Sequence, residues 1–452
     1  MPKYESFSHK WAILCVLLLV LVAHINTAFC SIKKEKPQEQ AGTLSFSLSD
    51  YIVPEKELIE ERTATSKTYE IDRGNFISEI STRPIHYSDD GKNWNDIVCA
   101  IRPNADQVYP YANLTNQIKS YFPSGSAGSI KCAYKDIYFT YKTLVFTSID
   151  STGEDKIIAR AGEVPISVRD SVAAFSNLLP FASEEFVVLP WGIEERLVIE
   201  EPILTHLQGN ERTVGALVRL KLSQGLSLVS AKGELGSYWK GNERLFVMKG
   251  SDTIFVFEPP VAFDSQKSKV ACEYEWKFFS GELLLSVRLP ANWLKDQARA
   301  FPVTIDPTIY LYSSSYGQTG YVAKLCSGRD WLGNCTSWSY TNYYSSIWCG
   351  SYASHDDEYR GWAEWSLSSI PIGSIVNDTQ IRFYSIYTHF EGGDWTFVDL
   401  YQMSYRPSGA SAQTVFDDAY NGTRYTYLYC TSTGQFYYSD LGSSADYDLQ
   451  NK

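Results

Sequence analysis

Apolar and polar residues alternate in short runs along most of the chain, and turn residues separate the runs. Lys67–Ile71 (KTYEI) and Phe76–Ser81 (FISEIS) flank Asp72-Arg73-Gly74-Asn75, the pattern of a hairpin. Pro84–Tyr87 and Lys92–Ile97 repeat that arrangement around Ser88-Asp89-Asp90-Gly91. The same alternation predicts strands at Asp136–Phe146, Phe186–Leu189, Arg196–Ile199, Val214–Leu222, Arg244–Met248, Thr253–Phe257 and Leu283–Leu289. Nearer the C-terminus, Glu364–Leu367, Gln380–Ile386, Phe397–Gln402 and Tyr425–Tyr429 read as strands, with turns at 369–373 and 391–394. Helical spacing is confined to Asn292–Ala300, with Asn292 as its cap, and more weakly to Asp170–Asn177. Many short strands with almost no helix between them exclude βαβ units. The expected fold is all-β: tandem antiparallel β-sandwich or jelly-roll domains with few short helices.

The pattern breaks at both ends. Lys3, His9 and Lys10 precede the apolar run Trp11–Ala23, and Thr27, Ala28 and Ser31 follow, the charged, apolar, small order of a secretory signal. The run is too short for a membrane span, which takes about 20 residues. Residues 1–30 are therefore expected to be a cleaved signal, leaving no transmembrane span, and 31–43 a charged flexible lead-in. At the other end, Tyr438–Lys452 starts a new amphipathic element and stops inside it. That predicts truncation before the last strands.

Composition divides the remainder. From residue 310 onward there are two lysines, Lys324 and Lys452, against 14 acidic residues, and 20 of the 32 tyrosines. Residues 44–306 are expected to form a β-rich domain, in one or two parts, and 309–452 a tyrosine-rich sandwich, joined at Ile305–Thr308. The formal charge of -12 opposes phosphate neutralisation, so no nucleic-acid partner is expected.

An exported chain keeps disulfides, and four cysteines fall between 326 and 430. Cys326 and Cys335 are close enough to close a short loop, which leaves Cys349 and Cys430 as the second pair. None of the spacings is that of a zinc site.

Signatures of catalysis are missing. There is no GxSxG, HExxH or GxxxxGK[ST], and only His86, His206, His355 and His389 lie beyond the signal. No catalytic residue is assigned and no cofactor is required. A glycosidase would need two facing carboxylates, and Glu194, Glu195, Glu200, Glu201 and Asp264 are available. The two Glu-Glu pairs flank apolar Leu197–Ile199, which reads as exposed strand ends. His355, Asp356, Asp357 and Glu358 supply hard ligands of the kind calcium takes, set against the plainer reading of a solvated acidic turn. Asp417–Gly422 begins like an EF-hand loop, fails at Ala419 and Leu428, and reads as a turn. Trp331, Trp338, Tyr340, Tyr343, Tyr344, Trp348 and Tyr352 crowd one Gly/Ser/Asn-rich segment, where exposed rings would stack on sugars and buried ones would fill the core. Asn113, Asn334, Asn377 and Asn421 each begin an N-glycosylation sequon.

Two passages resemble a known family as wholes: Thr65–Ile97 (TSKTYEIDRGNFISEISTRPIHYSDDGKNWNDI) and Leu289–Thr308 (LPANWLKDQARAFPVTIDPT). Both are similar to the frame of large secreted microbial surface proteins that carry a DNRLRE domain, including wall-associated proteins of the YD-repeat type. Arg360–Tyr384, with its Ser-Ile-Pro-x-Gly turn, resembles the opening of that domain. The resemblance implies a secreted or cell-surface β protein with a structural or adhesive role, whose partners are cell-wall or extracellular glycans or other surface proteins. A carbohydrate-binding accessory module of a polysaccharide-degrading system is the alternative, and a hydrolase with dispersed carboxylates a second one.

Overall fold

The computed structural model describes residues 19–21, 56–72, 75–230, 233–234, 237–279, 282–312, 318–330, 332, 334–343, 347, 349–352, 356–388, 396–430, 432 and 434–451. Leu19–Leu21 is a short strand; the rest of the expected signal and the lead-in lie outside the described residues. Residues 84–314 form one compact unit, and residues 1–83 with 315–452 group as another. Among the described residues no helix is long and apolar enough to cross a membrane.

The 84–314 unit is built of strands β1 (Tyr111–Asn113), β2 (Lys119–Phe122), β3 (Ile130–Tyr134), β4 (Ile137–Asp150), β5 (Val172–Leu179), β6 (Ala182–Leu189), β7 (Gly192–Ile199), β8 (Glu211–Leu222), β9 (Leu226–Ser230), β10 (Leu245–Lys249), β11 (Asp252–Phe257), β12 (Glu273–Phe279), β13 (Glu282–Pro290), β14 (Val303–Asp306) and β15 (Thr308–Leu311). One antiparallel sheet runs β12-β13-β8-β4-β3-β2-β1, and the other β5-β6-β7-β15-β11-β10-β9, each with short strands at its margins. Alternation explains the pairing: the first half of β4 buries every second residue, so it offers one apolar face. The second half of β4 is covered on both faces, as a central strand must be.

These faces close on one core. Phe139 meets Phe255 edge-on at 5.2 Å between ring centres, Tyr141 meets Phe186 at 6.1 Å, and Phe146 meets Phe181 at 5.3 Å. In the first and second of these contacts the rings come from opposite sheets, so the unit is a sandwich.

Three sequence expectations for this part of the chain need correction. Asp170–Asn177 is not helical: 172–179 is β5, with Ala173, Phe175, Leu178 and Leu179 buried in the core. The helix at 292–300 shrinks to one turn, α1 (Ala291–Leu294), capped from Pro290 without a side-chain bond. The chain then turns at Asp296, whose carboxylate accepts from the Ala298 N–H, so the apolar repeat never reaches a second turn. The break near Pro307 is also displaced. β15 follows at once and pairs with both β7 and β11, because Ile309 and Leu311 belong to the same core.

The remaining described strands include the hairpin Ser66–Asp72/Asn75–Ile80, then β16 (Gln318–Arg329), β17 (Cys335–Tyr343), β18 (Asp357–Glu364), β19 (Gln380–Thr388), β20 (Thr396–Tyr401), β21 (Arg424–Cys430) and β22 (Gln435–Asp440). β17, β16 and β18 form a sheet; β19 pairs β22, and β20 pairs β21. Helices α2 (Ala412–Asn421) and α3 (Ser443–Asn451) were not expected. α2 is capped by Ser411, which accepts from Thr414 N–H, and its Val415 and Phe416 cluster with Val322 and Trp362 of that sheet, whose fourth strand is Gly350–Tyr352. Asp417-Asp418 thus lies in a helix rather than a turn. Asp418 accepts from the Ser404 and Tyr405 N–H groups.

Gly192 opens β7 opposite Tyr310, and a Cβ there would collide with the Ile309 carbonyl oxygen. Gly192→Ala is expected to destabilise the protein by about 1–3 kcal/mol, the usual range for forced overpacking. Thermal melts of wild type and variant check this, and an unchanged Tm would contradict it.

Candidate functional site

The chemistry-bearing residues singled out in the sequence do not converge. Asp356 pairs with Arg329 at 2.7 Å, Asp357 accepts from the Cys326 N–H at 3.2 Å, and Glu358 pairs with Arg360 at 2.6 Å. Each carboxylate has a separate partner, and no group of three metal-ligating side chains occurs among the described residues. These partners fit the plainer reading of a structural acidic turn; His355 lies outside the described residues. Among the aromatics, Trp338 lies under Lys324 at 4.3 Å and Tyr340 packs edge-on against Phe416 at 5.5 Å. The backbones of Tyr343 and Tyr352 are in β17 and the strand Gly350–Tyr352. Trp331, Tyr344 and Trp348 lie outside the described residues. Asn113 is buried, with its amide donating to the Val98 and Ala100 carbonyls, so it cannot accept a glycan. Asn334, Asn377 and Asn421 are exposed.

Cys326 and Cys335 are bonded across the β16–β17 hairpin. Cys349 and Cys430 are free thiols, although both belong to one apolar cluster with Val398, Leu428 and Tyr437. Burial pushes the Cys349 thiol up to about 11 and the Cys430 thiol up to about 12. Disulfide exchange needs a thiolate, so this environment works against the second bridge expected from the sequence.

The carboxylates give the largest surprise. Glu194 and Glu195 are not exposed strand ends: both are buried within β7, with Glu184 buried beside them on β6. Successive residues of a strand point to opposite faces, so the two neighbours enter different surroundings. Glu195 and Glu184 share the inner face, diagonal to one another across the β6–β7 ladder, with Thr143 of β4 donating to Glu184 from the opposite sheet. Burial pushes Glu184 up to about 7. It raises Glu195 as well, with the neighbouring Glu184 charge adding to the effect. Neither Glu195 Oε2 nor the buried Tyr141 hydroxyl finds a hydrogen bond of ordinary geometry. A small cavity lined by Tyr141, Thr143, Glu184, Phe175 and Phe186 leaves about 10 Å³ for the centre of a water. That admits about one water, far below the few hundred Å³ of a substrate cleft.

On the outer face Glu194 accepts from Arg196, and Asp306 of β14 lies against Glu194. Asp306 is partly exposed, yet burial and then the Glu194 charge push its carboxyl up to about 8. Glu200 and Glu201 are exposed beyond the end of β7. Asp264 sits apart, accepting from the backbone N–H groups of Gln266 and Ser268 and from Arg299 at 2.7 Å. Arg299 in turn stacks 3.5 Å above the Trp293 ring. Asp264 therefore acts as a clasp for the 293–300 turn and does not face a second carboxylate. Linear sequence held no signal for the Glu184–Glu195 pairing, because it depends on strand register.

Two outcomes follow from these bonds. Cys335→Ser should destabilise the hairpin-bearing sheet by about 2–3 kcal/mol on the chain-entropy model for a short loop; melting with and without reductant tests it, and equal curves would contradict it. Asp264→Ala should lower Tm by several degrees, since it strands the buried Arg299 guanidinium. Thermal melts at one pH decide that outcome, and an unshifted midpoint would refute the clasp.

No family model matches the chain, and no solved structure matches it. The tRNA3(Ser)-specific nuclease WapA of Bacillus spizizenii is 22% identical to it over 329 residues, a stretch that covers 66% of this chain and 12% of the nuclease. The chain thus spans a small fraction of that relative's length.

Proposed function

We propose that this chain is a non-enzymatic structural module of an exported, cell-surface protein, a disulfide-braced run of β-sheets that spaces or presents other segments. The observation that carries this reading is the location of the carboxylates. Of the carboxylates a hydrolase could use, Glu195 lies with Glu184 within the sandwich near a cavity that fits about one water, Glu194 is bonded to Arg196 on the outer face, Asp264 is held by Arg299, and the exposed Glu200 and Glu201 line no cleft among the described residues. The resemblance of 65–97 and 289–308 to wall-associated surface proteins supports the same reading, as does similarity to a limited stretch of a much longer bacterial protein. The nuclease activity named for that relative is not carried over: a chain of net charge -12 offers little phosphate attraction.

Glycan binding is a second reading, favoured by one feature. Tyr427 and Tyr429 are 50% and 41% exposed on the outer face of β21, beside the Asp399–Arg424 ion pair. Rings with an adjacent acid and guanidinium suit the apolar face and hydroxyl groups of a sugar.

Expression of the full reading frame in a secreting host should place the protein outside the cytoplasm, with a new N-terminus near residue 29 or 31. The secreted protein should hydrolyse neither polysaccharides nor RNA. Retention inside the cell would overturn the export reading, and hydrolysis abolished by Glu195→Gln would overturn the non-enzymatic one. On a glycan array, binding lost in the Tyr427→Ala/Tyr429→Ala double variant would select the second reading.

A further inference from the structure

β7 is the strand on which the second sheet turns. It pairs along its whole length with β6, and on its other edge it pairs first with β15, at 192–194, and then with β14, at 197–199. Between these two partners the Glu195 N–H donates to the Pro307 carbonyl. The carboxyl groups of Glu194 and Glu195 leave the strand to opposite sides at this crossing.

We propose that β7 is a proton-operated clasp: the Glu184–Glu195 pair holds one shared proton in the folded protein, and raising the pH, which favours giving that proton up, loosens β7 together with β14 and β15. The groups that face the pair are Thr143 and Tyr141 on β4, Tyr274 on β12 and, more distantly, Asp306 on β14. None of these four is a cation; Lys142 of β4 also lines the cavity, and its ammonium donates to the Ala127 carbonyl at 2.5 Å. Two ionised carboxylates in this apolar setting would repel each other without compensation, whereas an acid donating to a carboxylate is a stable arrangement. Glu184 already accepts from Thr143, so it is the anionic partner and Glu195 the acid. The water-sized cavity beside Tyr141 and Glu184, and the lack of a hydrogen bond of ordinary geometry at the Tyr141 hydroxyl and Glu195 Oε2, point to a water that completes the network. A hard cation would need six or more oxygen ligands, more than this site offers.

The outer face repeats the device more weakly. There Asp306 faces Glu194, with Arg196 bonded to Glu194, Glu185 opposite Arg196 on β6, and Thr308 donating to Asp306.

The sign of the effect is opposite to ordinary acid denaturation. An unfolded Glu loses its proton near its ordinary value of 4.5, while in the folded protein burial and the Glu184 charge hold the Glu195 proton well above that, and Asp306 keeps its own to about 8. Above 4.5 the folded state binds more protons than the unfolded one, so the pairs' contribution is complete below that value and falls progressively as pH rises. Asp264 and Glu211, held below their usual range, act in the other direction and only in acid.

The test is amide-exchange protection of residues 303–311 in the full chain from pH 5 to 9, corrected for intrinsic exchange rates. Protection should fall roughly tenfold or more between pH 5.5 and 8.5, since one unit of differential titration is a tenfold change. Glu195→Gln, which keeps the shape of the protonated acid, should remove much of that fall. A flat wild-type profile overturns the proposal, and so does an unchanged slope in the variant. Should Glu195→Gln fail to fold, Glu184→Gln is read by the same criterion. Millimolar calcium that restores wild-type protection at pH 8.5 would make this a cation site, which also overturns it.

Discussion

Two twisted sheets can be stable together only if the apolar face of each is withdrawn from water by the other, and the 84–314 unit is organised around that demand. Phe139, Phe255, Phe257, Tyr141 and Phe186 interlock across the gap, and strands from both ends of the unit contribute to the same core. β15 shows the consequence. It lies where composition suggests a linker, yet Ile309 and Leu311 are needed inside, so the chain completes the sheet before leaving it.

Polar groups withdrawn from water, in the core or behind a sheet, must be satisfied or neutral. Arg288 is fully buried and is answered by Glu275 at 2.9 Å, Thr147 at 2.5 Å and Asp155 at 3.3 Å. Asp264 is answered by Arg299 and backbone N–H groups. Glu184 and Glu195 differ, because a second carboxyl stands where a cation would be expected. A proton resolves the conflict at the cost of making this part of the sheet sensitive to pH.

The β16–β18 sheet solves the burial problem differently. Its apolar stripe is narrow, Val322 and Trp362, and α2 covers it with Val415 and Phe416. Arg360 extends the cover by stacking 3.8 Å over Phe416 while paired with Glu358. That is why the acidic run at 356–358 is structural here: each carboxylate fixes a neighbouring strand or arginine.

Local chemistry decided what was legible in the sequence. Hairpins and strands were readable wherever alternation and turn residues coincided, as at Ser88–Gly91, where Asp90 accepts from the Lys92 and Asn93 N–H groups and Gly91 has φ of +73°. The short Cys326–Cys335 bridge was readable for the same reason, since its partners are close along the chain. What lay beyond reach depended on partners distant in sequence. The identity of β5 required a neighbouring strand, since its alternation is interrupted at Asn177, where φ is +53°. α2 required a sheet to cover. The inward turn of Glu195, the outward turn of Glu194 and the meeting of Glu184 with Glu195 required a register in which Phe186 faces Glu195 and Leu197 faces Glu184. A one-residue slip would reverse every one of those faces, so only the folded sheet decides which carboxyls are buried together.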